Sequence, residues 1–526
     1  MRILAVSTRK RRIVCRLQWR VTISWLTGLF LLTSMAHAGE QPRANAVAVP
    51  TQVEVLPRGS DMPQSKPAVT AAGAGSVTES VGKVLASQGL ANQAEARQTE
   101  ARQAQRTAEA NAAAGAKSGA DGQGPVAGAP GKAGPTQPEP ASSAPVLDGR
   151  DGRDLALSRF RPRPSLRGRQ TLLKQARFPV VDVHTHFGIR LRGNREQLAS
   201  FVEVMDRNQI AVCCSLDGGL GDAFREHADY LWKAYPNRFL IFANIDWQGT
   251  GAADDPASWD CQRPDFGRRM ARALAEAKEM GASGLKIFKQ FGLTYRDADG
   301  ALLKIDDPRW DPIWEACGEL QLPVLIHTAD PVAFFQPIDE TNERWEELYR
   351  HPEWSFYGPQ FPRREALLAA RNRVIARHPK TIFIGAHVAN SPEDLAQVST
   401  WLDQYPNLVV EFASRIGELG RQPYTAREFF LKYQDRILFG TDGPWPEPRL
   451  NYYWRFLETL DEYFPYSEKE FPPQGFWNIY GIGLPDEVLR KVYHGNAVRI
   501  VPGLAAKLAA QPKLNLGNSI ESEKQP

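Results

Sequence analysis

The chain has 526 residues, enough for more than one domain and for a buried core of any ordinary class. Its formal charge of +4 does not point to nucleic acid. Residues 1–38 hold seven Lys/Arg (Arg2, Arg9, Lys10, Arg11, Arg12, Arg16, Arg20) and no acid, and without them the balance is −3. Cys213, Cys214, Cys261 and Cys317 form no CxxC pair for a thiolate zinc site and are too few for a disulfide scaffold at this size.

Residues 1–38 read as a secretory signal. A basic segment leads into "VTISWLTGLFLLTSMAHA", whose apolar run, Val21 to Met35, is short of the roughly 20 residues a membrane span needs. It ends in Ala36-His37-Ala38, a small-x-small cleavage pattern. An uncleaved anchor is the alternative, and Arg11-Arg12 would suit twin-arginine export. The expectation is an exported protein, periplasmic or secreted, with no stable membrane span after processing. Residues 39–165 follow as a disordered linker rich in Ala, Gly, Pro and Gln. Residues 39–150 lack Phe, Trp and Tyr and cannot bury enough apolar surface to offset ordering entropy. Within them "NQAEARQTEARQAQRTAEANAAA" favours helix but has no apolar stripe. The basic run "RDLALSRFRPRPSLRGRQ" leads into the folded part, as a solvated linker or a contact to an anionic surface.

From residue 170 to 510 the pattern changes. The apolar runs "FPVVDVHTH", "IAVCCSLDG", "RFLIFANID", "SGLKIFK", "LPVLIHT", "TIFIGAHV", "LVVEFAS" and "RILFGTD" alternate with helix-like stretches such as "DFGRRMARALAEAKEM". Continuous apolar strands between helices predict an α/β fold with a parallel sheet covered on both faces. Eight such units over about 325 residues predict a (β/α)8 TIM barrel. A doubly wound sheet is the other candidate, but no glycine-rich loop follows the first strand. Two connections are long and aromatic, residues 328–362 and 443–484, and are expected to form a lid or pocket wall over the C-terminal strand ends. Residues 511–526 are a tail.

Only nine histidines occur, and His or Asp stands near the C-terminal end of four predicted strands: His184 and His186, His327, His387, and Asp442. Barrel enzymes place their chemistry at that edge. Alternation sets His184 and His186 on one face, and imidazoles with a carboxylate suit zinc or another divalent first-row ion. Asp182 is expected to buttress the site or pack in the barrel. Arg415 is expected to bind a substrate carboxylate as a fork or to pair with a neighbouring acid. His227, His351, His378 and His494 are assigned structural roles.

"DVHTH", "HTADP", "GAHVANSP", "FGTDGPW" and "YHGNAVRIV" together resemble the amidohydrolase superfamily, in its amidohydrolase-related (type 2) branch, over about residues 178–504. The resemblance implies that His184, His186, His327 and Asp442 hold a divalent metal. His387 would bind a second ion or act in proton transfer beside a metal-activated water, with Asp442 taking the water's proton. It implies one zinc ion, with manganese or iron as other candidates. A second ion bridged by a carbamylated Lys286 is the less favoured version. In the favoured one Lys286 contacts substrate, and Lys289 is expected on the opposite face. The expected activity is hydrolysis of a C–N or C–O bond in an amide, cyclic amide, lactone or ester. A non-oxidative decarboxylase is the alternative, and a non-catalytic binding barrel a third reading. The expected partner is a small-molecule substrate, with no nucleic acid, and self-association into a homo-oligomer is compatible with the sequence.

Overall fold

The computed structural model describes residues 160, 162–469 and 472–511. The signal, almost all of the low-complexity linker and the tail from residue 512 lie outside the described residues.

Eight parallel strands follow one another in sheet order: β1 Val180–Thr185, β2 Ile210–Ser215, β3 Phe239–Asn244, β4 Gly284–Ile287, β5 Val324–Ile326, β6 Phe383–Gly385, β7 Leu408–Glu411 and β8 Ile437–Leu438. Registers such as Cys213↔Phe239, Lys286↔Leu325 and Glu411↔Leu438 bring the strand ends to a common rim. The ring nearly closes between β8 and β1, where Val183 N–H donates to Phe439 O (3.0 Å) and Asp442 N–H to His184 O (2.8 Å). The chain forms the expected TIM barrel.

Helices α1 Arg195–Arg207, α2 Gly221–Trp232, α3 Phe266–Glu279, α4 Asp311–Glu319, α5 Arg364–Arg377, α6 Leu395–Gln404 and α7 Pro423–Lys432 connect successive strands. Their starts and buried faces are local in origin. The Asn194 side chain caps α1 through the N–H groups of Glu196 and Gln197, and Leu198, Phe201, Val202 and Met205 form its buried stripe at helical spacing. One apolar cluster lies between strands and helices. A second joins Val181, Val212, Leu240, Phe242, Leu325, Ile384, Val409 and Leu438 to Ile500, Val501 and Leu504. The C-terminal segment reaches the starts of β2 and β3, where Gln511 Nε2 donates to Ala211 O and Asn237 O. It therefore seals the end opposite the histidines.

The long connection 443–484 is not a lid throughout. Its first half is helix α8, Glu447–Glu458, with Leu450, Tyr453, Trp454 and Leu457 buried at helical spacing. Trp454 stacks on Phe439 at 5.3 Å between ring centroids, so these aromatics extend the outer core. The dense Tyr and Trp content hid a helical stripe. In 328–362 the exposed aromatics do lie outward, with Trp345 and Tyr349 stacked at 4.8 Å.

Candidate metal centre

The register of β1 shifts between Asp182 and Thr185, so simple alternation does not describe the strand where its histidines emerge. Asp182 secures this end. Its carboxylate accepts from His184 N–H (3.1 Å), Thr441 N–H (3.1 Å) and Thr441 Oγ1 (2.5 Å), tying β1 to the chain beyond β8. Burial raises its pKa to about 7 against those hydrogen bonds.

Each imidazole of the His-Thr-His pair has one nitrogen committed. His184 Nδ1 lies 2.8 Å from Glu411 Oε1, and His186 Nδ1 lies 2.7 Å from Asp217 Oδ1. Ionised carboxylates only accept, so they fix the N–H on Nδ1 and leave Nε2 as a lone pair. The two Nε2 atoms are 3.2 Å apart. Two lone pairs at that distance repel unless a cation lies between them. Asp442 Oδ1 joins them at 3.5 Å from His186 Nε2 and 3.7 Å from His184 Nε2. His184, His186 and Asp442 thus bring three ligand atoms within 4.8 Å of one another, a donor set that fits a divalent ion. Lys286 Nζ stands 3.5 Å from His184 Nε2, and burial lowers its pKa to about 8. Burial works against ionised Asp442, but His184, His186, Arg190 and Lys286 hold its pKa below the ordinary value.

His387 enters by an unusual route. His387, Val388, Ala389 and Asn390 have φ of 55°, 59°, 50° and 59°, a left-handed turn with no glycine in it. Each such residue costs about 1–2 kcal/mol, so other contacts must impose the turn. Two buried arginines on one face of α5 provide them. Arg371 NH1 donates to Ala389 O at 2.5 Å. Arg364 donates to Asn390 O, and its Nε to Asp330 O at 3.0 Å. His387 N–H then meets Glu411 Oε1 at 2.8 Å, and His387 Nδ1 donates to Ala413 O at 2.7 Å. Its Nε2 is left as an acceptor. Burial, with Arg415, His327, His184 and Lys286 nearby, pushes its pKa well down. The neutral imidazole is therefore the favoured form in the resting site.

The structure brings His184, His186, Asp442 and Lys286 together, with His387 beside them at 4.8 Å from the His184 ring centroid. His327 is not drawn into that group. Its ring lies 4.6 Å from His387, but its Nε2 faces Asp330 at 3.2 Å, and burial lowers its pKa to about 4. Lys289 is a correction to the alternation argument. β4 ends at Ile287, and past it Lys289 Nζ turns to Asp330 Oδ2 at 2.5 Å, so it supports the His327 partner. Arg415 is buried, and NH1 donates to Ser414 O at 2.9 Å. Its Nε has no partner, and no carboxylate lies within 4.0 Å among the described residues, so the ion pair considered for it is not formed.

The remaining histidines are held elsewhere: His227 by Ser215, His378 by Asp311 and His494 by Pro179 O, while His351 stacks on Trp354. His494 sits within a π-turn, Lys491–Gly495, between the helical segments Asp486–Arg490 and Asn496–Ile500. Sequence reasoning missed Glu411, Asp217 and Asp330, the carboxylates that orient the imidazoles. The signal was available: Glu411 ends β7, and Asp217 stands two residues beyond β2.

A family profile described as Amidohydrolase matches residues 181–503. No curated protein matches the chain. Among solved structures it is similar to an uncharacterised TIM-barrel protein from Bordetella bronchiseptica, at 15% identity over 63% of this chain and 100% of that one, with a TM-score of 0.37. It is also similar to 2,6-dihydroxybenzoate decarboxylase from Rhizobium, at 17% identity over 61% and 98%, with a TM-score of 0.38. A third is 5-carboxyvanillate decarboxylase from Sphingomonas paucimobilis, at 14% identity over 61% and 98%, with a TM-score of 0.34. Likeness of this size says nothing of the reaction. The profile match covers more than half of the sequence, and the chain belongs to the amidohydrolase family.

Proposed function

We propose that the chain is a metal-dependent hydrolase that cleaves a C–N or C–O bond of a small organic substrate carrying an anionic group. The observation that carries this reading is the pair of lone-pair Nε2 atoms of His184 and His186, 3.2 Å apart, with Asp442 beside them. A bound divalent ion, zinc in the first instance and manganese or iron otherwise, supplies Lewis acidity and makes water acidic near neutral pH. The chain's own groups do the rest. Asp442, ionised and with a quarter of its side chain exposed at the mouth, accepts the proton of attacking water and returns it to the leaving group. His387 Nε2 accepts a hydrogen bond and orients that water. Lys286 faces the developing negative charge. Arg415, a buried guanidinium with no acid partner among the described residues, receives the anionic group of the substrate.

The preference for hydrolysis over decarboxylation rests on the reading of the N-terminal segment as an export signal, since an exported enzyme would meet external substrates. Intact-mass measurement of the mature protein tests that placement, with a chain beginning at Gly39 as the expected product. The reaction is tested by screening esters, lactones, amides and aromatic acids on metal-analysed protein with parallel CO2 detection. About one ion per chain and hydrolysis products without CO2 support the reading. CO2 release alone replaces it with decarboxylation, and full activity without metal refutes it.

A further inference from the structure

The mouth of the site carries a second cationic station that the reaction outlined above does not use. Arg190 follows the His-Thr-His pair in the short helix Phe187–Leu191. Arg449 comes from the first turn of α8. Both guanidinium carbons lie over the indole of Trp445, at 4.0 and 3.6 Å from its ring centroid. Trp445 is fixed in turn, because its Nε1–H donates to Thr441 O at 2.8 Å, one residue from Asp442.

Two like charges against one ring repel each other, and stacking on an aromatic face offsets only part of that. Arg190 has one acid near it, Asp442 Oδ1 at 3.7 Å. That oxygen is also the one that meets His184 and His186 Nε2, so an ion held there would draw its charge away from Arg190. Arg449 has no carboxylate within 4.0 Å and no hydrogen-bond acceptor among the described residues. Burial lowers its pKa while Tyr453 and Asp442 raise it. The planar forks are therefore held in place by stacking, with their N–H edges uncommitted, as a site for a planar oxyanion requires.

We propose that Arg190 and Arg449, stacked on Trp445, form a subsite for a carboxylate. The substrate is then a dianion with one acidic group at this subsite and one at Arg415. This rests on the reading of Arg415 given under the proposed function and extends it.

The test is calorimetric titration of the metal-analysed full chain with benzoate and with phthalate, isophthalate, terephthalate and glutarate. At least one dicarboxylate is expected to bind tenfold or more tightly than benzoate, the scale of one charge-assisted contact. Arg449→Met and Arg190→Met are each expected to remove that advantage while leaving benzoate affinity, metal content and melting temperature near those of the parent. Arg449→Lys, which keeps the charge but loses the fork, is expected to recover only part of it. The proposal is overturned if no dicarboxylate binds better than benzoate, or if the Met variants weaken both classes equally. If the purified chain holds no metal but the dicarboxylate preference and its loss in the variants stand, the metal-hydrolase reading fails and the subsite remains.

Discussion

Replacing Arg371 with Met isolates what the left-handed turn at the end of β6 does. In the native chain the Arg371 guanidinium is fully buried without an acid partner, and burial lowers its pKa to about 9. It donates to Ala389 O and Asn372 Oδ1 and lies 4.6 Å over Trp401. Met removes charge-assisted bonds to two acceptors, about 1.5–3 kcal/mol each, but also removes the cost of burying that charge, which is of similar size. The net change in fold stability is therefore small, about 2 kcal/mol or less. The turn itself responds more strongly. His387, Val388 and Ala389 hold about 1–2 kcal/mol of strain each, while Asn390 tolerates the left-handed region, and without the clamp on Ala389 O the turn relaxes. His387 N–H then leaves Glu411, the carboxylate that orients His184. Metal affinity, measured by competition with a chromophoric chelator, is expected to fall about 10–100-fold, as for other losses behind a ligand, while the melting temperature moves by only a few degrees. Ala389→Gly supplies the control. Relief of about 1–2 kcal/mol at φ 50° is set against about 0.5–1 for glycine entropy and about 0.8 for one buried methyl, so alone it is near neutral. Combined with Arg371→Met it is expected to recover part of the lost affinity, because glycine keeps the turn without the clamp. Parent-like metal affinity in Arg371→Met, or a loss that Ala389→Gly does nothing to restore, would refute the reasoning.

Asp217→Asn keeps the shape behind His186 but weakens the hold on its Nδ1–H, and is expected to raise the metal dissociation constant about tenfold with little change in melting temperature. Chelation followed by a thermal melt is expected to lower stability by about 2.7 kcal/mol relative to protein with metal at a hundredfold excess over its dissociation constant, and an unchanged melt would argue against a resident ion. Asp442→Asn, at a position that meets two imidazoles but is also open to the mouth, is expected to retain metal within about tenfold while losing about 10²–10⁴ in turnover. Equal loss of metal and turnover would make Asp442 a ligand and nothing more.

The sequence exposed the barrel because eight short apolar runs alternate with helices and no glycine-rich loop follows the first, which sets the barrel above a doubly wound sheet. It exposed His184, His186 and Asp442 because histidine is scarce, nine in 526 residues, so several at strand ends are informative. Glu411 and Asp217 stand at or just beyond strand ends by the same rule, yet with 60 acids in the chain a single one carries little information. Their roles arise from other strands, Asp217 beyond β2 meeting His186 of β1 and Glu411 of β7 meeting His184 of β1 and His387 after β6, which the linear pattern does not weigh. The turn at His387 was illegible for a different reason. "AHVAN" contains no glycine, and its local preference opposes the conformation it adopts. The conformation is imposed from α5, by side chains 18 and 26 residues before the carbonyls they hold. His327 marks a third limit, since a strand-end position fixes where a ring is but not which nitrogen it turns inward, and here Asp330 takes Nε2.

The site is organised by charge that is committed and charge that is not. Glu411, Asp217 and Asp330 are each occupied by an imidazole, and Asp330 by Lys289 as well, so none is free to receive a cationic substrate. Asp442 is the remaining acid at the centre, and a divalent ion would more than offset it. Lys286 and Arg415 then stand as buried positive charge, costly while unpaired, and Arg190 and Arg449 as positive charge at the mouth. Such an arrangement is stable in the free chain only because stacking on Trp445 and backbone acceptors such as Ser414 O hold part of it. On the proposed reading the balance is completed by the substrate, and an anion with acidic groups at two points would complete it better than an ester or amide that is neutral throughout.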